Sequence, residues 1–313
     1  MTTENERPRT RLSGTSVVET SQRRPSGKRS RNDTEQCAHG SPHLPRRRYL
    51  LAKAGLAAAV VATALVMAGL APDAPPSRSG PMPHGPVGAW ELRFRDEFAG
   101  TVVDWTKWAD NSSAEADYRR GNKNNQQLEW NQGTNCSVSN GLLTITARPD
   151  DITSPSGTQY DWSSCLITST PSYTFRYGYI EIRAKLPAPR GFWSAFWTWQ
   201  QEGHPQEVET DVFEFFSDNH TRLYLSQRSE SGGGCELANL GFDPTREFHT
   251  YGADIKASGG TDFYIDGNRV CTASGTSTGP TNIIVSMFVY SKIPPKPGTV
   301  ATMQVDYVRA WRR

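Results

Sequence analysis

Residues 207–216 read EVETDVFEFF, four carboxylates set into a run of valine, threonine and phenylalanine. The β-branched and aromatic content predicts a strand, along which successive side chains point to opposite faces. Glu207, Glu209 and Asp211 then share one face, and Val208, Thr210 and Val212 take the other. Continued without interruption, this alternation would turn Glu214 toward the face of Val212 and bring Phe213 and Phe215 onto the acidic face. One extra residue held as a β-bulge between Asp211 and Glu214 removes the conflict. Glu214 returns to the side of Glu209, and both phenylalanines go to the apolar side.

With that bulge, Glu209 and Glu214 stand about four strand positions apart, ~13 Å between Cα atoms. Two long glutamate side chains can lean together across such a gap. A converging carboxyl pair suits a glycosidic bond, where a configuration-retaining reaction needs carboxyls about 5–5.5 Å apart. Asp211, between them, is placed to hydrogen-bond Glu209 and orient it. The bland alternative is a solvated acidic strand face. Its weakness is that adjacent like charges on a strand repel one another.

The rest of the chain is read outward from this strand. Residues 1–48 hold eleven Lys/Arg and five Asp/Glu, whereas the whole chain is only +2, so the remainder carries −4. The basic balance therefore belongs to a leader and does not indicate nucleic acid; the mildly acidic remainder suits a neutral or cationic ligand. Arg46 and Arg47, followed by Tyr49, Leu50 and Leu51, match a twin-arginine export signal, and an apolar run continues to Ala71. Cleavage near Ala71 or Ala74 would release the chain; the alternative is an uncleaved anchor. Residues 1–48 are thus a basic leader, 49–74 the export segment, 75–89 a Pro/Gly/Ser-rich linker, and 90–313 the folded domain. The expected location is extracellular, with membrane contact only through the export segment. Four cysteines remain beyond Cys37, an even number that favours two disulfides outside the cell. Of the three connectivities, Cys136–Cys165 and Cys235–Cys271 are preferred because each closes a local loop.

Residues 90–313 show no helical periodicity and no internal repeat. Short alternating runs such as LLTITA, GYIEIRAKL, TRLYLSQ and NIIVSMFVYS recur between turn signals at Ser139-Asn140-Gly141 and Asp266-Gly267-Asn268. This pattern predicts an all-β fold, one sandwich of two antiparallel sheets.

ETDVFE resembles the E-x-D-x-x-E signature of glycoside hydrolase family 16, in its laminarinase-like branch. RFRDEF, YGYIEIRAKLPAPRGFWSAFWTW, FHTYGADI, TDFYIDG and VDYVRAW resemble the flanking strands of that family in the right order. The resemblance implies a concanavalin-like jelly roll with a concave cleft and a polysaccharide substrate, acted on by a monomer. It casts Glu209 as nucleophile, Asp211 as assisting acid and Glu214 as general acid/base. Glu181 and Arg183 match cleft-lining positions, with a cross-strand ion pair as the alternative. Trp193 and Trp197 match cleft aromatics, although their spacing also serves a core, which leaves Trp197 and Trp199 open. Asn125 and Glu129 resemble polar residues of the first long loop. Asp306 matches a position that holds a structural calcium in many members; no other cofactor is implied. The expected activity is hydrolysis of 1,3- or 1,3-1,4-β-glucan. Alternatives are an agarase- or carrageenase-like galactanase, with Arg190, Arg222 and Arg228 supplying cations, a transglycosylase, or a carbohydrate-binding domain that has lost catalysis.

Overall fold

The structure, a computed structural model, describes residues 80–203, 208–229 and 232–313. The basic leader, the export segment, residues 75–79 of the linker and Glu207 lie outside the described residues. In chain order the strands are β1 (Glu91–Asp96), β2 (Glu129–Asn131), β3 (Cys136–Ser139), β4 (Leu142–Thr153) and β5 (Gln159–Ser164). Then come β6 (Leu166–Thr168), β7 (Gly178–Lys185), β8 (Phe192–Gln200), β9 (Glu209–Phe216), β10 (Leu223–Arg228) and β11 (Gly233–Leu237). The last are β12 (His249–Ile255), β13 (Thr261–Ile265), β14 (Asn268–Ala273), β15 (Thr281–Val289) and β16 (Ala301–Arg312). Only short 3₁₀ turns at Lys123–Asn125 and Gly133–Asn135 interrupt them among the described residues.

Two sheets result. A ten-stranded sheet runs β14-β13-β12-β7-β16-β4-β5-β2, with β1 added on β16 and β3 on β4. A six-stranded sheet runs β11-β10-β9-β8-β15-β6. The expected all-β sandwich has formed. Its hairpin signals act as read: Asn140-Gly141 and Asp266-Gly267 all have positive φ, between 47° and 78°. That is the geometry of tight hairpins between twisted strands.

Alternation decides what lies between the sheets. Ile180, Ile182 and Ala184 of β7, Phe213 and Phe215 of β9, and Ile283, Val285, Met287 and Val289 of β15 are all buried in one core. Each large side chain there contributes roughly 1.5–3 kcal/mol by leaving water. The outer face of the six-stranded sheet has a second, smaller cluster around Trp193, Trp197, Ile284 and Phe288.

Both preferred disulfides are present. Cys136–Cys165 closes a separation of 29 residues, and Cys235–Cys271 one of 36. The second joins β11 to β14, the last strand of each sheet at one side of the sandwich. Each closure restricts the unfolded chain by about 3–4 kcal/mol on a loop-entropy argument.

The stretch 80–89 differs from its reading as linker. Trp311 Nε1 donates to the carbonyl of Pro81, the Tyr179 hydroxyl to that of His84, and Trp90 Nε1 to that of Pro86, at 2.8, 2.8 and 2.9 Å. Prolines remove N–H groups but leave carbonyls. A segment with no strand periodicity is therefore fastened by ring and hydroxyl donors of the sheet beneath it.

Candidate active site

β9 lies between β8 and β10 with matching registers. Trp199, Trp197 and Ala195 of β8 stand opposite Glu209, Asp211 and Glu214; Arg228, Ser226 and Tyr224 of β10 oppose the same three from the other side. Both ladders skip at Val212: Trp197 faces Asp211 while Phe196 already faces Phe213. Val212 is the bulged residue, and it joins Phe213 in the core. The predicted bulge is real. The three carboxyls share the outer face of the six-stranded sheet.

They open into a groove of about 570 Å³, lined also by Trp193, Trp197, Trp199, Phe216, Tyr290 and Asn125. Trp193 stacks on Phe216, ring centroids 5.0 Å apart, and meets Phe288 and Tyr290 edge-on. Trp197 is fixed by its indole N–H, which donates to the Ser286 hydroxyl at 3.1 Å. The question of core or groove resolves as both: Trp193 and Trp197 are about nine-tenths buried, yet each shows an edge to the groove. Apolar sugar faces pack on such rings.

Arg228 ties the trio together. Its Nε lies 3.1 Å from Asp211 and 3.2 Å from Glu209, and one Nη lies 3.5 Å from Glu214. Asp211 also accepts from the Ser226 hydroxyl. Burial, followed by the charge of Asp211, holds both Glu209 and Glu214 above the usual carboxylate range; Arg228 pulls each back. Three carboxyls with one cation cannot all ionise at low cost. The arrangement keeps a proton on the Glu209–Glu214 pair near neutral pH.

In the wall of the groove, Glu115 is almost wholly buried, which pushes its carboxyl up to about 7. Gln127 Nε2 donates to its Oε1 at 3.4 Å, whereas Glu115 Oε2 and Gln127 Oε1 have no donor.

Several sequence expectations need correction. Glu181 and Arg183 do not line the groove. They lie on β7, in the other sheet, with Ile180 and Ile182 pointing to the core and these two pointing away from it. Glu181 accepts from the Tyr307 hydroxyl at 2.9 Å and from the backbone N–H of His84 at 3.0 Å; the His84 ring nitrogen Nδ1 lies 2.9 Å away, and the Tyr179 hydroxyl, at 3.1 Å, shares its one proton between Glu181 and the His84 carbonyl. Arg183 makes an ion pair, as the alternative reading had it, but with Asp306, at 2.7 Å. One oxygen of the Asp306 carboxylate is taken by that guanidinium. No group of three or more His, Cys, Asp or Glu suited to a metal occurs among the described residues; a calcium site would also draw on backbone carbonyls and water. Glu129 is also outside the groove lining: fully buried in β2, it accepts the backbone N–H of Val289 at 2.7 Å and so anchors the first loop to β15. Asn125 does line the groove.

Sequence reasoning missed Arg228 as a partner of the acids, and Glu115, Phe216 and Tyr290 altogether. A signal for Arg228 existed. Folding the LYLSQR run back on ETDVFE places Tyr224, Ser226 and Arg228 on one face, across from the acids.

A family model for glycosyl hydrolases family 16 matches residues 122–309. The chain is 32% identical over 183 residues to the endo-1,3-1,4-beta-glycanase EglC of Rhizobium meliloti, covering 56% of this chain and 39% of that protein. It is 26% identical over 269 residues to the glucan endo-1,3-beta-glucosidase A1 of Niallia circulans, covering 72% of this chain and 38% of that one. It thus spans about two fifths of the length of these relatives. Among solved structures, the endo-beta-1,3-glucanase of Pyrococcus furiosus superposes with a TM-score of 0.63 at 25% identity, over 71% of this chain and 94% of that one. The laminarinase catalytic domain of Thermotoga petrophila gives 0.64 at 24%, over 72% and 99%. With the acid motif and its bulged strand in place inside the matched range, the chain belongs to the glycosyl hydrolases of family 16.

Proposed function

We propose that the protein is an endo-acting β-glucan hydrolase that retains anomeric configuration, cutting 1,3- or 1,3-1,4-linked chains. The observation that carries this reading is the bulge at Val212, which puts Glu209, Asp211 and Glu214 on one face inside an aromatic groove. Relatives named as an endo-1,3-1,4-beta-glycanase and a glucan endo-1,3-beta-glucosidase support the substrate class. Glu214, protonated at rest, gives its proton to the leaving glycosidic oxygen as Glu209 attacks the anomeric carbon. The glycosyl–Glu209 ester then forms while the leaving chain departs as an alcohol. Glu214, now a carboxylate, takes a proton from the incoming water, whose oxygen displaces Glu209. Asp211 orients the nucleophile, and Arg228 offsets its charge before attack. The aromatic walls hold the neutral sugar rings.

The galactanase alternative finds little support in the groove. Arg222 pairs with Glu236 at 3.1 Å, and Arg228 is committed to the three acids. Arg190 is not among the lining residues. We further propose that the protein acts outside the cell as a monomer; the two disulfides support that compartment. The test is to incubate the protein with laminarin, lichenan, agarose and carrageenan and identify the oligosaccharides and their anomers. β-Configured oligosaccharides from laminarin or lichenan are expected. Products from agarose or carrageenan alone would move the assignment to a galactanase, and an inverted anomer would remove the two-step mechanism.

A further inference from the structure

A second cavity, of about 830 Å³, lies at one end of the ten-stranded sheet and shares no lining residue with the groove. It is built by β1, the segment before β7, the turn after β12 and the C-terminal end of β16. Five basic side chains line it, Arg93, Arg176, Lys256, Arg312 and Arg313, against one acid, Asp254. This concentration occurs in a domain whose overall balance is acidic. Three of the five are already paired: Arg93 with Glu91, Lys256 with Asp262, and Arg313 with Asp254, at 2.7, 2.7 and 2.8 Å. Two are not. Arg312 has no hydrogen bond or ion pair among the described residues, and Arg176 gives only its Nε, to the carbonyl of Ser277 at 3.3 Å. The cavity therefore faces a ligand with two guanidinium groups in surplus.

The wall between them is aromatic. Tyr173 stacks between Phe94 and Phe175, with centroids 5.2 and 5.7 Å away. Its hydroxyl has no hydrogen-bond partner among the described residues, and the charges of Arg93 and Arg312 both act on it. Arg176 lies over the Tyr177 ring at 5.1 Å. Forked guanidinium donors recognise planar or tetrahedral oxyanions, and ring edges with a free hydroxyl suit the C–H and O–H groups of a sugar. A cavity of this size takes a small ring compound. It does not take a duplex, whose phosphates require an extended basic stripe.

We propose that this cavity is a second binding site, for a saccharide that carries an oxyanion. Arg176 and Arg312 hold the anion, and Tyr173 contacts the ring. The proposal does not rest on the hydrolase reading, since the residues are separate from the groove. It gives the molecule two sites of opposite charge preference: one for neutral chain, one for acidic sugar.

The test is calorimetric titration of the full-length protein with digalacturonic acid, glucose 6-sulfate, cellobiose and inorganic phosphate at low ionic strength. An acidic saccharide is expected to bind one-to-one, at least tenfold tighter than cellobiose and than phosphate, and more weakly as salt rises. The Arg176→Gln/Arg312→Gln pair should lose that binding at least tenfold while β-glucan hydrolysis stays unchanged. Digalacturonic acid and glucose 6-sulfate separate carboxylate from sulfate as the favoured anion. Equal binding of cellobiose would overturn the charge argument. Phosphate binding as tightly as the sugars would remove the saccharide, and undiminished binding in the double variant would place the ligand elsewhere. If the double variant misfolds, Arg312→Lys, which keeps the charge and loses the fork, should still weaken binding; full affinity there would refute the guanidinium role.

Discussion

The outer faces of the two sheets each bury carboxylates among aromatic rings, and they treat them in opposite ways. On the ten-stranded sheet, Glu181 is surrounded by the Tyr307 hydroxyl, the backbone N–H and ring of His84 and a shared Tyr179 hydroxyl, under a strap formed by residues 80–89. On the six-stranded sheet, Glu209, Asp211 and Glu214 share one guanidinium that is itself more than half exposed. A carboxylate whose lone pairs are all taken is a structural fastener. A carboxyl pair short of donors and short of cations keeps a proton it can give away. Donor supply, rather than burial, separates the two faces.

The largest effect that tests this contrast is Glu214→Gln. Hydrolysis should fall by about 10³-fold or more, within the range of a lost general acid, with melting temperature little changed because glutamine matches the neutral acid that Glu214 is at rest. A loss of activity that merely tracks unfolding in circular dichroism would break the comparison. Glu181→Ala should do the reverse. It takes the carboxylate acceptor from the Tyr307 hydroxyl and the His84 N–H and costs about 2–5 kcal/mol, read as a lower melting temperature, with kcat/KM on β-glucan retained. Activity lost without destabilisation would bring Glu181 back to the chemistry.

Arg228→Gln sharpens the comparison by removing the single cation. Ionised carboxylates lose their partner, so their pKa values rise. Glu209 must be ionised to attack, and the acidic limb of the kcat/KM profile should move about one pH unit upward. A profile that stays in place would mean the guanidinium does not act on the nucleophile. The smallest effect concerns Glu115. Its folded-state value of about 7 exceeds the ordinary 4.5, so its contribution to stability is complete below pH 4.5 and is lost as pH rises through 7. Glu115→Gln mimics the protonated acid. It should recover roughly 2–3 kcal/mol at pH 8 and little at pH 4, measured by urea unfolding at both. Equal shifts at both pH values would show that Glu115 is not neutral in the fold.

How far such contrasts can be read from sequence depends on the range of the contact involved. The bulge was legible because Glu214, Phe213 and Phe215 could not all be satisfied without it, a conflict confined to eight residues. Glu181 and Arg183 were misplaced because i, i+2 spacing says that two side chains share a face but not which face, nor which sheet. Glu129 was misplaced because its partner, the Val289 N–H, lies 160 residues away. The strap at 80–89 was invisible since its bonds are made by carbonyls, which every sequence has, and two of the three donors, Tyr179 and Trp311, lie far down the chain.

The bulge has one more consequence. Losing a residue from a paired strand normally turns everything beyond the gap inside out. Val212 is the exception in β9. Without it, Asp211 and Phe213 become neighbours, Trp197 and Phe196 already face them in sequence, and Leu225 gains a single partner between Ser226 and Tyr224. Glu214 would keep its direction. Glu209, Asp211 and Glu214 would thus stay on one face after excision of Val212, with no inverted strand beyond the gap.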